Sequence, residues 1–312
     1  MMKQTIKGHG AALLSVLIWG TTFISSKIVL AYLSPIELLI YRFSVGLSVL
    51  TLLDSHKLIG GKKKPEKRNA PEREPGSAEA CRGLKKKSDE IYFILAGITG
   101  VTLYYLLENI SLTYTTASNA GVIVSTAPFF TALAAWMLRK ERCMSIRFLA
   151  GFVLALSGIA MISFQGGSVS LNPLGDFLAL CAAFVWGFYS VFSKWISEKG
   201  YPVIAATKRI LIWGLLFMIP FGFFMGFSFE PRILLMPQVL FHVIYLGISA
   251  SALCFVLWNY AVDRLGVITS GVYIYLTPVV TVALSIPVLH ETFTWYTGAG
   301  MLLTIIGLVI SG

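Results

Sequence analysis

The chain has 312 residues, 56% of them hydrophobic and 13% charged, with a formal net charge of +10 and a mean hydropathy of +0.77. A soluble domain carries about a quarter charged residues, so this composition excludes a water-soluble core and makes lipid the solvent. The basic excess does not point to nucleic acid, because the Lys and Arg residues fall in breaks between apolar runs, where they orient a membrane protein.

A spanning helix needs about 20 apolar residues. Ten runs meet this length, at 11–30, 34–53, 91–112, 116–138, 146–165, 173–196, 202–225, 238–260, 266–289 and 295–311. They predict an all-α integral membrane protein with ten transmembrane helices. The first run lacks a small-residue cleavage site and reads as a span. Connections are short except at 54–90, which holds 11 Lys/Arg, 7 Asp/Glu and three prolines. Such a stretch cannot bury enough apolar surface to fold, so a flexible basic cytoplasmic loop is expected. Its clusters Lys62–Lys64 and Lys85–Lys87 read either as a solvated linker or as a contact for anionic headgroups. With the N-terminus inside, 22 of the 25 Lys/Arg are cytoplasmic, and Lys27, Arg42 and Arg232 lie outside. Both termini are therefore expected in the cytoplasm, with the chain in the cell (cytoplasmic, inner) membrane.

The chain repeats itself. Adding 167 carries Trp19, Gly20, Ser26, Lys27, Pro35 and Arg42 onto Trp186, Gly187, Ser193, Lys194, Pro202 and Arg209. Adding 150 carries Gly97, Asn109, Gly121, Pro128, Thr131 and Glu141 onto Gly247, Asn259, Gly271, Pro278, Thr281 and Glu291. The first copy comprises 1–53 and 91–165, the second 166–312. Five spans per copy is an odd number, so the second copy must enter the membrane upside down. Two inverted five-helix repeats are expected, with a shared site near the bilayer midplane.

Residues that interrupt the apolar pattern are candidates for that site. Trp19 and Trp186 precede glycines that permit close helix approach, and Thr22 and Tyr189 lie one turn further on the same faces. Glu108 is an ionisable group at membrane depth, by default a functional candidate. It reads as a binder of a cationic amine or as the carrier of a coupling proton, with Lys27 or Arg42 as its partner. Tyr105 and Asn109 flank it. Asn259 is the repeat mate of Asn109, and Trp258 fills the slot matching Glu108. Structural packing is the alternative reading for each. Pro128 and Pro278 lie at matching mid-span positions and predict broken or gating helices, although prolines are common in membrane helices. Lys27, Lys194, Arg42 and Arg209 either gate, by pairing with Glu37 or lipid phosphate, or anchor span ends. Cys81, Cys143, Cys181 and Cys254 have no metal-ligand spacing, and a disulfide is not expected. No phosphate loop of the form GxxxxGKS/T is present. His290-Glu291 does not extend to HExxH, because position 294 is Thr, and no GxSxG elbow occurs. No catalytic residue, metal or cofactor is expected.

The segments WGTTFISSK, PIELLIYRF, ENISLTYTTASNAGVIVSTAPFFTALAAWMLRKER and the echo WNYAVDRLGVITSGVYIYLTPVVTVALSIPVLHE resemble the EamA-type branch of the drug/metabolite transporter superfamily. The resemblance covers nearly all of the chain outside 54–90. It implies ten helices in two inverted repeats and a secondary transporter, working by alternating access, of a small amino-acid-like or aromatic metabolite, with export favoured over uptake. A flippase or scramblase for a phosphate-bearing lipid headgroup is the alternative, in which Lys27 and Arg42 would meet the phosphate. The partners implied are a small-molecule substrate, the lipid bilayer and a coupling proton.

Overall fold

The computed structural model describes residues 2–59, 89–141, 145–163, 172–289 and 294–311. Every regular element among them is helical. Apart from one turn at Pro231–Leu234, these are in chain order α1 (Met2–Val29), α2 (Pro35–Ile59), α3 (Glu90–Tyr114), α4 (Ala117–Arg139), α5 (Ile146–Ser163), α6 (Pro173–Glu198), α7 (Val203–Phe224), α8 (Pro237–Leu265), α9 (Val267–Val288) and α10 (Trp295–Ser311). Among the described residues eight helices, all but α5 and α10, are long and apolar enough to cross a membrane. α5 and α10 have shorter apolar stretches, 146–158 and 298–307.

Each predicted run falls on a helix, but α1 and α2 continue past their apolar runs, because a helix satisfies its own backbone in water as in lipid. Residues 54–59 of the expected loop are therefore the end of α2, and Glu90 opens α3. The lysine clusters at 62–64 and 85–87 lie outside the described residues, as do Cys81, Cys143 and Glu291. Helix starts follow the sequence. Pro173 and Pro237 occupy first-turn positions, where the missing N–H costs nothing. The Thr116 hydroxyl accepts from the Asn119 N–H at 3.1 Å, and Asn172 accepts from the Gly175 N–H at 3.2 Å.

The two halves carry the same irregularities. α3 widens to a π-helical stretch over Ile98–Leu103 and α8 over Leu246–Leu253. α4 breaks at Ser125 and Thr126 before resuming at Ala127–Arg139. α9 tightens to a 3₁₀ turn over Tyr273–Leu276 before Thr277–Leu289. Pro128 and Pro278 thus stand in the first turn of a restarted segment, not in mid-helix as the hydropathy runs suggest.

Contacts between the halves are exchanged in kind. α1 lies against α8 and α9, and its mate α6 lies against α3 and α4. A Cβ on Gly20 would meet the Val280 side chain at 2.6 Å, and one on Gly187 would meet the backbone of Phe130 at 2.6 Å. Positions 130 and 280 are themselves mates under the 150-residue shift. α5 and α10 form a separate close pair, where a Cβ on Gly158 would lie 2.5 Å from the Gly300 carbonyl. Small residues let these backbones approach.

One end of the bundle is laced with ion pairs. Lys208 binds Asp54, Arg209 binds Glu90, Lys199 lies 2.6 Å from Asp89, and Arg139 lies 2.8 Å from Glu198. Each pair joins α2, α3 or α4, or the residue before α3, to α6, α7 or their connection. Its hydrogen bond to the Asp89 carboxylate holds the Lys199 ammonium above the ordinary lysine range. At the far ends of α3 and α8 the repeat shows again. Lys27 donates to the carbonyls of Leu112 and Thr115, the latter at 2.8 Å. Lys194 reaches those of Val262 and Asp263 at 3.5 and 3.4 Å. Both lysines sit at a negative helix end, which is the anchoring role. Glu37 is taken up by Ser34 and by Ser228.

Candidate functional site

A narrow cavity opens between the halves. α1 contributes Trp19, Thr22 and Phe23, and α3 contributes Tyr104, Tyr105 and Glu108. Trp186 comes from α6, Val124 and Ala127 from α4, and Ile274 and Thr277 from α9. The last four flank the two helix breaks and are mates of one another, 124 with 274 and 127 with 277. The cavity therefore sits where the repeated elements meet.

Its wall is aromatic. The rings of Trp19 and Trp186 meet edge to face at 5.2 Å, and Tyr104 lies 4.7 Å from Trp186. Trp258 stands behind both tryptophans, 5.3 Å from Trp19 and 5.8 Å from Trp186. Phe255 backs Tyr105 at 6.0 Å. Such faces attract apolar, aromatic and cationic groups.

Two polar atoms in this wall lack hydrogen-bond partners among the described residues: Oε2 of Glu108, a residue 2% exposed, and Nε1 of Trp186. Arg42, 1% exposed, lies just behind, its guanidinium carbon 4.6 Å from the centre of the Tyr105 ring. Buried polar groups are normally satisfied, so an acceptor and a donor left unpaired on residues of one cavity wall mark it as a place for a polar ligand.

Beside the cavity lies a closed polar cluster. Asn259 Oδ1 accepts from the Tyr189 hydroxyl at 2.8 Å and from Ser193 at 2.6 Å, and its Nδ2 donates to Thr207 at 3.0 Å. Asn259 and Ser193 also line a second space of about 270 Å³ with Ser197 and Tyr201. The mirror cluster in the other half is open. Both side-chain polar atoms of Asn109 and the Ser26 hydroxyl are without partners among the described residues. Thr22, the mate of Tyr189, bonds only the Trp19 carbonyl, at 2.7 Å.

Of the nine residues expected at a cavity, Trp19, Thr22, Tyr105, Glu108 and Trp186 line it. Trp258 supports the wall from behind. Asn109 is buried beside Glu108, and Tyr189 and Asn259 belong to the adjacent cluster. Sequence reasoning missed Phe23, Tyr104, Val124, Ala127, Ile274 and Thr277. The last four could have been found from the duplicated prolines, since they sit one to four residues before them.

A model of the EamA-like transporter family matches residues 6–164 and 173–312. An uncharacterized transporter of Archaeoglobus fulgidus is 30% identical over 311 residues, covering 98% of this chain and 97% of its own. A probable terminal-alkyne amino-acid exporter of Streptantibioticus cattleyicolor is 31% identical over 199 residues, 63% of this chain and 64% of its own. A protein solved by crystallography superposes with a TM-score of 0.72 at 19% identity, covering 99% of this chain and 98% of that one. It shares the fold.

Proposed function

This chain belongs to the EamA-like transporter family, and we propose that it is a secondary carrier that exports a small amino-acid-like or aromatic metabolite across the cell's inner membrane by alternating access. Its ten helices form two inverted five-helix repeats, 1–53 with 91–165 and 166–312, and both termini face the cytoplasm. The exchanged contacts of α1 and α6, and the irregularities repeated 150 residues apart, support that arrangement. The match of the family model to two segments, 6–164 and 173–312, supports the division.

The observation that carries the mechanism is the unequal state of two mirror-related clusters around one cavity. Asn259 is fully bonded to Tyr189, Ser193 and Thr207, whereas its mate Asn109 and the facing-position Ser26 are unbonded. Two equivalent halves in unequal states are what a carrier needs to present one site to each side in turn. The charged end is held shut by its ion pairs, and the helix breaks at Pro128 and Pro278 are the joints about which α4 and α9 move.

Glu108 takes either a proton or a cationic group of the substrate, so entry of the proton releases the substrate. The exporter named among the relatives supports amino acids as cargo and export as direction. A flippase would need Lys27 and Arg42 at an outer phosphate site. Lys27 instead serves the end of α3, and Arg42 is buried. The test is flux of radiolabelled amino acids into proteoliposomes under an imposed pH gradient. Wild type is expected to respond to the gradient and Glu108→Gln to lose the response while retaining substrate exchange. Equal gradient-driven flux in both removes Glu108 from coupling.

A further inference from the structure

Arg42 carries a charge with no ion-pair partner among the described residues. Its Nε donates to Ser251 at 3.1 Å, its face covers the Tyr105 ring, and its Nη2 has no partner among the described residues. The ion pairs of the described residues do not include it. Its repeat mate shows what is missing. Arg209 binds Glu90 and lies 4.6 Å over the ring of Phe93. Under the 150-residue shift the mates of Glu90 and Phe93 are Leu240 and Val243. The second half has neither the acid nor the ring, yet the first half keeps the arginine and buries it. A buried cation without a counter-ion is costly, and a well-packed neutral side chain would serve stability better. Arg42 instead lies over the Tyr105 ring, just behind the cavity wall.

We propose that Arg42 is the specificity-determining residue of the cavity and selects a substrate bearing a carboxylate. This rests on the carrier reading above. The unpartnered Oε2 of Glu108 in the wall and the unpartnered Nη2 of Arg42, behind the Tyr105 ring of the same wall, offer one anionic and one cationic receptor. Their complement is a zwitterion, carboxylate toward Arg42 and ammonium toward Glu108, with its apolar side chain against Trp19 and Trp186. Each pole of the solute then faces an opposite charge, and the site stays neutral overall whether empty or loaded.

The full-length protein in lipid nanodiscs is titrated with phenylalanine, phenylalaninamide and phenethylamine, followed by tryptophan fluorescence and thermal shift. Wild type is expected to bind the acid about 10-fold or more tightly than the amide, the scale of a hydrogen bond to a charged group. Arg42→Gln is expected to erase that preference, and Arg42→Lys to retain part of it. Equal affinity of wild type for acid and amide overturns the proposal, as does an Arg42→Gln protein that weakens both ligands alike. If Arg42→Gln does not fold, the wild-type comparison and Arg42→Lys still decide. Gradient-driven flux of another solute class without amino-acid flux sinks this inference and leaves the carrier intact. Absence of flux for amino acids, nucleosides and vitamins alike sinks the carrier reading itself.

Discussion

Trp19 and Trp186 are the same residue in two copies, and each gives its indole to the cavity. Removing one takes away an aromatic wall whose packing is worth about 0.5–1.5 kcal/mol per ring pair beyond its buried area. Trp186→Ala should therefore weaken ligand binding by about 10-fold or more, and Trp258→Ala, one layer back, should weaken it less. Fluorescence titration of the two variants checks the order. Glu108 could be found from the sequence because a carboxylate stands out in an apolar span. Phe23, Tyr104 and Ile274 could not, because an apolar side chain in an apolar chain has no contrast. Tyr189 is expected at the cavity from its spacing after Trp186, and Asn259 as the repeat mate of Asn109. The symmetry fails there for a local reason: Thr207 gives Asn259 a hydroxyl, whereas the matching position in the first half is Ile40.

The helices were legible from hydropathy, but their internal joints were not. A π-helical stretch or a 3₁₀ turn leaves no mark in apolar length, and the prolines signalled only that something happens near them. The glycines divide more sharply. At Gly187 an added Cβ would strike the Phe130 backbone at 2.6 Å, whereas at Gly271 it would rest 3.9 Å from Pro128. Gly187→Ala should thus destabilise by about 1–3 kcal/mol through overpacking, and Gly271→Ala should be nearly neutral. Thermal unfolding in detergent measures both. The seam of α5 and α10 behaves likewise: Gly158→Val should lower the melting temperature, since the Gly300 carbonyl cannot yield.

The molecule as a whole is two copies that support each other through exchanged contacts, and this was readable once the repeat was seen. What the repeat could not give was which end is tied. Lys199 and Asp89 meet at 2.6 Å on the laced end, so a short cross-linker between cysteines placed at 89 and 199 should stop transport, and its reductive cleavage should restore it. Transport that continues through the cross-link would show that this end never parts.

The lacing also makes the carrier answerable to electrolyte. The four pairs are half-buried, so salt weakens them less than surface pairs, for which the screening length shrinks from about 10 Å at 0.1 M to about 3 Å at 1 M. Four of them closing one doorway form a spring whose stiffness is set by the surrounding solution. Concentrated KCl on that side alone should speed the unlatching step and shift the resting population toward it, while the same salt opposite, where Glu37 is held by serines, should do little. The throughput of this protein then follows the ionic strength on the laced side of the membrane, with no regulator bound.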